Sequence, residues 1–233
     1  NHDGRRTAAL RFWAGKHEIT KERNKIEKNK HYTGFAAMVG RPNVGKSTLT
    51  NALIGEKIAI MSDRPQTTRN KIMCILNTDN AQIMFLDTPG IHKPHHKLGQ
   101  YMVRAAESTL KEVDVILFVV DVSEKRGAGE DYIIEQLKKV KTPVILVANK
   151  VDKLEDKSKL FGIIANYVND YNFAAVVPVS ALQDTDFKAL VDEITKHLPE
   201  GPAYYDEDMI TDQPERVIAA EMIREKVLTN THD

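Results

Sequence analysis

The sequence is short of several things at once. It has a single cysteine, Cys74, so neither a disulfide framework nor a multi-cysteine zinc site is available. Cys74 sits in an apolar strand pattern and reads as core filler. Thirty-three basic side chains balance 33 acidic ones, so the chain as a whole lacks the basic excess of a nucleic-acid binder. No apolar run is long enough to span a bilayer. Arg5 and Arg6 lead into a stretch too charged to be the core of a secretion signal. A reducing, cytoplasmic setting is the expectation. With 42% hydrophobic and 28% charged residues, 233 residues hold one good-sized soluble domain and an appendage.

What is present centres on Gly40, Arg41, Pro42, Asn43, Val44, Gly45, Lys46 and Ser47. An apolar strand pattern, Phe35 to Val39, precedes them, and a helix pattern from Thr48 to Ile54 follows. Strand, G-x-x-x-x-G-K-S, then helix is the context that a phosphate-binding loop requires. Glycines let backbone N–H groups turn inward, and those groups with the helix N-terminus attract phosphate. Lys46 is expected to reach the β- and γ-phosphates, and Ser47 to ligate Mg²⁺.

Residues 1–31 form a separate stretch, with nine Lys or Arg against four Asp or Glu. They read either as a disordered extension or expression artefact, or as a basic arm that touches RNA or anionic lipid. Beyond the loop helix, Lys57–Asn70 is polar and has no period of its own. Lys71–Leu76 and Gln82–Leu86 then read as an antiparallel hairpin. The second strand runs into Asp87, Thr88, Pro89 and Gly90. A carboxylate at that tip can hold Mg²⁺ through its water shell, and the Gly90 N–H can approach a γ-phosphate. His92, His95 and His96 follow, but Pro94 spoils helical pairing of metal ligands, so a mobile basic loop is the reading. Leu98–Val113 carries the spacing of an amphipathic helix.

Val115–Val120 and Pro143–Ala148 are continuous apolar runs, the mark of strands buried on both faces. Helix patterns cover Gly129–Val140, Lys157–Tyr171 and Asp186–Leu198, and Ala174–Val179 is a last strand. Strand and helix alternate, which predicts an α/β fold with a mostly parallel central sheet, one antiparallel strand and helices on both faces. Asn149, Lys150 and Asp152 stand at one strand tip. The Asp152 carboxylate can accept from N1–H and the exocyclic amine of guanine, donors that adenine does not offer there. The Asn149 side chain can tie neighbouring loops, and the Lys150 stem can cover the base. Ser180, Ala181 and Leu182, at the next tip, are positioned for backbone contact with guanine O6. All these motifs fall where ligands bind in open parallel sheets.

G-x-x-x-x-G-K-S, D-x-x-G, N-K-x-D and S-A-L in this order resemble the translation-factor-like P-loop GTPases. Gln66-Thr67-Thr68-Arg69, the run Asp87 to Pro94 with Ile91 inside it, Glu200-Gly201-Pro202 and the stretch Asp212 to Lys226 make the chain similar to the Era-type GTPases. The resemblance runs from about Gly34 to about Leu228. It implies a GTPase domain over 32–202, then a linker and the first helix of a truncated RNA-binding KH domain over 203–233. It implies GTP, GDP and Mg²⁺ as ligands, 16S rRNA and the small ribosomal subunit as partners, a monomer, and peripheral contact with the inner membrane. Catalysis would fall to Lys46, Thr68 and Gly90. Mg²⁺ would be held by Ser47, Thr68 in the GTP state (Thr67 as fallback) and Asp87. Asn43 would help to hold K⁺.

Ile91 stands where many small GTPases carry a glutamine that orients water, and an isoleucine cannot do so. Slow hydrolysis by the chain alone, faster with K⁺ or a partner, is therefore expected. Lys57–Asn70 and Ile91–Gln100 are the expected switches. Asp212, Pro214 and Glu215 look like a helix start with a capping box, followed by an apolar stripe of Ile218, Ala219, Met222, Ile223 and Val227. The G-x-x-G loop that a KH domain needs does not follow within the sequence. Two rival readings remain: a nucleotide-dependent interaction module with negligible turnover, and an ATPase or kinase, against which Asp152 argues.

Overall fold

The structure is a computed structural model of the chain, and it describes residues 30–56, 72–87, 110 and 112–230. Among them, six strands form one sheet: β1 (Tyr32–Val39), β2 (Ile72–Asn77), β3 (Ala81–Asp87), β4 (Val115–Asp121), β5 (Val144–Asn149) and β6 (Ala175–Pro178). Their order is β2-β3-β1-β4-β5-β6; β2 pairs antiparallel with β3, and every other pairing is parallel. The helices are α1 (Lys46–Ile54), α2 (Ala128–Leu137), α3 (Lys159–Val168), α4 (Lys188–Thr195) and α5 (Glu215–Asn230). The α/β fold read from the residues is the one observed. Most elements begin or end one to three residues from their apolar patterns, the fraying usual at element ends. The Lys157–Tyr171 pattern contracts to α3, with turns on either side.

β4 and β5 are buried along their whole length, because helices cover both faces of the sheet. Alternate residues supply two cores. Ala36, Met38, Leu117 and Val119 pack with Leu49 and Leu53 of α1 and Leu190 and Ile194 of α4. Ala37, Val39, Phe118 and Val120 pack with Ile133, Ile134 and Leu137 of α2 and Tyr167 of α3. Cys74 is fully buried in the first core. The apolar stripe on α5 divides: Ile218 packs on that core, whereas Met222 and Ile223 are exposed. At the start of α5 the Asp212 carboxylate accepts from the Gln213 side-chain amide at 2.7 Å, and the side chain of Glu215, the other half of the expected capping box, lies outside the described residues.

The segment entering β1 is tied to the segment that follows α4. Thr33 N–H donates to Pro199 O (3.0 Å) and Gly201 N–H to His31 O (2.9 Å). Residues 204–211 then run along the outer edge of β2. Ile75 N–H donates to Ile210 O at 2.9 Å, and the Thr211 hydroxyl donates to Met73 O at 2.7 Å. The fully buried Gln82 of β3 holds the start of this strap. Its Nε2 donates to Asn77 Oδ1 (2.7 Å) and Tyr205 O (2.8 Å), and its Oε1 accepts from the N–H groups of Tyr204 (2.7 Å) and Tyr205 (3.0 Å). Both donors and both acceptor sites of the amide are thus used. Gln82→Leu keeps the volume but strands three backbone partners. It should destabilise the fold by about 2 kcal/mol in denaturant titration and raise amide exchange at Tyr204 and Tyr205. Unchanged exchange there would show that the strap is held by something else.

Candidate functional site

Five parallel strands point their C-terminal ends at one rim, which brings Gly40, Asp87, Asp121, Asn149 and Ser180 to a single edge. The crevice beside β1, where successive connections leave in opposite directions, is where open α/β sheets take ligands. Gly40 follows β1 so closely that a Cβ there would collide with the Val119 carbonyl of β4. Gly45 caps α1 with φ 98°, a left-handed conformation, and a Cβ on it would strike the Asn149 amide. Asn43 also adopts the left-handed region, φ 66°, which asparagine tolerates better than most residues.

Side chains hold this loop by its carbonyls. Lys46 Nζ donates to Gly40 O (3.0 Å) and Arg41 O (2.8 Å). Lys150 Nζ donates to Asn43 O (2.7 Å), and Asn149 Nδ2 to Val44 O (2.8 Å). Peptide planarity means that a fixed carbonyl also fixes the N–H of the following residue. The orientations of the Arg41, Val44 and Gly45 amides are therefore set by three side chains. Ser47 and Thr48 lie in the first turn of α1, directly behind Lys46.

The rim is knitted to its neighbours. Asn149 Oδ1 accepts from Ala181 N–H at 3.0 Å, so one buried amide joins the loop after β1, the tip of β5 and the tip of β6. Asp152, half-buried in the turn Val151–Lys153, accepts from the Ser180 hydroxyl at 2.5 Å. Ser180 N–H donates to Asp184 Oδ2 at 2.5 Å. Ser180 and Ala181 are buried, whereas Leu182 is exposed. Lys150 is left-handed at φ 65° and forms an ion pair with Asp121 Oδ2 at 2.6 Å. Asp121 is almost wholly buried, and its other oxygen accepts from Ser123 N–H (2.9 Å) and Oγ (2.6 Å). Burial alone would push this carboxyl up, but the bonds from Lys150 and Ser123 outweigh it and hold it below the usual carboxylate range.

The residue-level expectations divide accordingly. The loop 40–48, Asn149, Lys150, Asp152, Ser180 and Ala181 come together at the rim. Asp87 ends β3, with its Cα opposite Met38 of β1. Thr67, Thr68, Thr88, Pro89, Gly90, Ile91 and the three histidines lie outside the described residues, as do both expected switches and the Leu98–Val113 pattern except residues 110, 112 and 113. Arg41, expected on the nucleotide, turns its guanidinium to α2 and the turn before it: Nη2 donates to Glu124 Oε2 at 3.0 Å, and Nε pairs with Glu130 Oε1 of α2. Burial alone would lower its pKa, but Glu130 and Glu124 raise it above the ordinary value. Among the described residues, no group of three or more His, Cys, Asp or Glu is arranged to hold a metal by itself.

Two residues that matter here were not singled out from the sequence, Asp121 and Glu130. Asp121 had a readable signal: it ends an apolar run at a strand tip and lies opposite Asn149 in register. Glu130 had none beyond a first-turn position in a helix.

Residues 35–150 match the family model described as 50S ribosome-binding GTPase. The chain is 57% identical over 201 residues to GTPase Era of Clostridioides difficile (strain 630), covering 86% of this chain and 68% of that one. Among solved structures it is similar to Era in complex with MgGDPNP and nucleotides 1506–1542 of 16S ribosomal RNA, at 42% identity and a TM-score of 0.81 over 87% of this chain and 69% of that one. An Era variant of Aquifex aeolicus bound to GDP and AlF4⁻ gives 42% identity and a TM-score of 0.80 with the same coverage. The chain spans about two thirds of the length of these curated relatives, between 66% and 68%. Fold, rim and relatives agree: the chain belongs to the Era family of GTPases.

Proposed function

We propose that this chain binds a guanine nucleotide across the rim and acts as a switch that hydrolyses GTP to GDP and phosphate. The observation that carries the reading is the Asn149 amide, which joins a loop of phosphate-binding sequence to the two strand tips suited to a purine. In this reading the amides of residues 40–48 cradle the phosphates, and Lys46 supplies positive charge to the β- and γ-phosphates. Asp152 accepts from the guanine edge, with Ser180 orienting its carboxylate. The tip Ser180–Leu182 stands beside O6, with the Leu182 N–H as the donor because the Ala181 N–H serves Asn149, and Lys150 covers the base.

The site suits a nucleotide with Mg²⁺. Gly40 and Gly45 leave no room for a Cβ, and Lys46 is held by the loop's own carbonyls. Mg²⁺ would be held by Ser47, by Asp87 through water and by Thr68 in the GTP state, with Thr67 as fallback, and would neutralise phosphate charge. Gly90 and the Thr88-Pro89-Gly90-Ile91 segment would meet the γ-phosphate. Because Ile91 cannot orient water, turnover by the chain alone is slow, and the rival reading is an interaction module with negligible turnover.

Partners belong to the same proposal. The structural relative carries 16S rRNA, and we extend that partner, and the small ribosomal subunit, to the whole protein of which α5 would begin the RNA-binding KH domain. The exposed Met222 and Ile223 on α5 are consistent with a face that a further domain covers. A monomer in the cytoplasm, touching the inner membrane peripherally, completes the reading; no described helix is long and apolar enough to cross a membrane.

Two measurements test it. A titration with GDP and ADP in Mg²⁺ should show a preference for guanine on the order of ten-thousandfold, and Asp152→Ala should remove most of it by weakening GDP alone. Equal binding of GDP and ADP by the unaltered chain would sink the guanine reading. Phosphate release should be faster in K⁺ than in Na⁺, through Asn43. Equal rates in the two salts would remove the K⁺ role, and no release in either would favour the interaction module.

A further inference from the structure

Arg41 is used twice. Its carbonyl accepts from Lys46 Nζ at 2.8 Å, while its side chain reaches the first turn of α2. There Glu130, 1% exposed, offers both oxygens: Oε1 pairs with Arg41, and Oε2 accepts from Gly127 N–H at 3.0 Å. Glu124 holds the other end of the guanidinium. Gly129 makes the approach possible, since a Cβ there would stand 2.6 Å from Arg41 Cδ and 2.9 Å from Cγ. The start of α2 is anchored in its turn. Arg126 pairs with Asp131 at 2.7 Å and Asp170 at 2.6 Å, and lies over the Tyr167 ring of α3 at 5.2 Å.

We propose that Arg41 and Glu130 are a positioning pair that fixes the second peptide of the phosphate loop, and through it Lys46, against α2, with Gly129 clearing the path of the Arg41 stem. The inference rests on the reading of residues 40–48 as the nucleotide's phosphate site. It gives Arg41 a role other than the phosphate contact that the family resemblance implies. A buried carboxylate tolerates its charge only with a partner, so the pair is strongly coupled. Loosening it frees the Arg41 carbonyl, and the Lys46 ammonium loses one of its two loop acceptors. The phosphates are gripped less well, while the guanine end is untouched.

The test is a double-mutant cycle on the full chain, with GDP affinity and dissociation rate read in Mg²⁺ from a fluorescent GDP analogue. Glu130→Gln keeps shape and an acceptor but removes the charge. It and Arg41→Ala should each weaken GDP by about tenfold, with the double variant no weaker than the worse single one. Gly129→Ala should weaken GDP in the unaltered background and do nothing more in Arg41→Ala, a dependence that general destabilisation would not produce. The ratio of GDP to ADP affinity should stay constant throughout. The inference is overturned if Glu130→Gln and Gly129→Ala bind GDP normally while Arg41→Ala does not, because Arg41 then acts on phosphate directly. It is also overturned if the losses simply add. An unaltered chain that binds no GDP overturns the phosphate-site reading, and the pair's role with it.

Discussion

One carboxamide holds this site together. Asn149 donates to the Val44 carbonyl and accepts from the Ala181 amide, and it is buried while doing so. An asparagine offers a donor and an acceptor on one rigid plane, which suits a bridge between a carbonyl on one loop and an N–H on another. An aspartate at this position would place a carboxylate oxygen against the Val44 carbonyl, and a leucine would leave both backbone groups unpaired in a buried setting. Gly45 is a glycine partly for the sake of this bridge, because a Cβ there would occupy the space of the Asn149 nitrogen. The bridge thus constrains residues far apart in the chain: a glycine before α1, an asparagine ending β5 and a residue with a free-standing N–H after β6.

The same logic runs outward to the charges. Two lysines, Lys46 and Lys150, are held by carbonyls of one loop, and Lys150 is balanced by the buried Asp121. Arg41, the third cation of the region, is turned to Glu124 and Glu130. A loop meant for a polyanion needs positive charge, but charge packed this closely is self-repelling without counter-ions. Asp121 and Glu130 supply them from outside the loop, on the strand tip and the helix next to it.

The fold could be read from apolar pattern alone wherever the pattern reports burial on both faces. Val115–Val120 and the run to Ala148 are such cases, and both are central strands. The loop and the N-K-x-D tip were equally plain, because each motif is local and strand context decides its meaning. The side-chain bridge from Asn149 was expected on chemical grounds, though not its partners. What could not be read was pairing across distance. Glu130 looks like any acidic residue in a first helical turn, and only the approach of β1's loop to α2 makes it a partner of Arg41. Gln82 looks like a polar break in a strand, and only the return of residues 204–205 accounts for its burial.

A phosphate loop also has to be stiff before its ligand arrives, since ordering it on binding would subtract from affinity. Here the stiffness is indirect. Lys46, Lys150 and Asn149 take the carbonyls of residues 40, 41, 43 and 44. Each planar peptide turns as a unit, so locking a carbonyl locks the amide on its far side. Pro42 has no N–H to aim, and its fixed φ removes a further freedom from the middle of the loop. Gly40 and Gly45 supply the bends at either end that other residues would resist on contact grounds. The loop is therefore set from behind, by groups that contact its carbonyl side. Its amides are ordered by bonds of which they are not members, and that arrangement fits recognition of phosphate by backbone geometry rather than by side-chain reach.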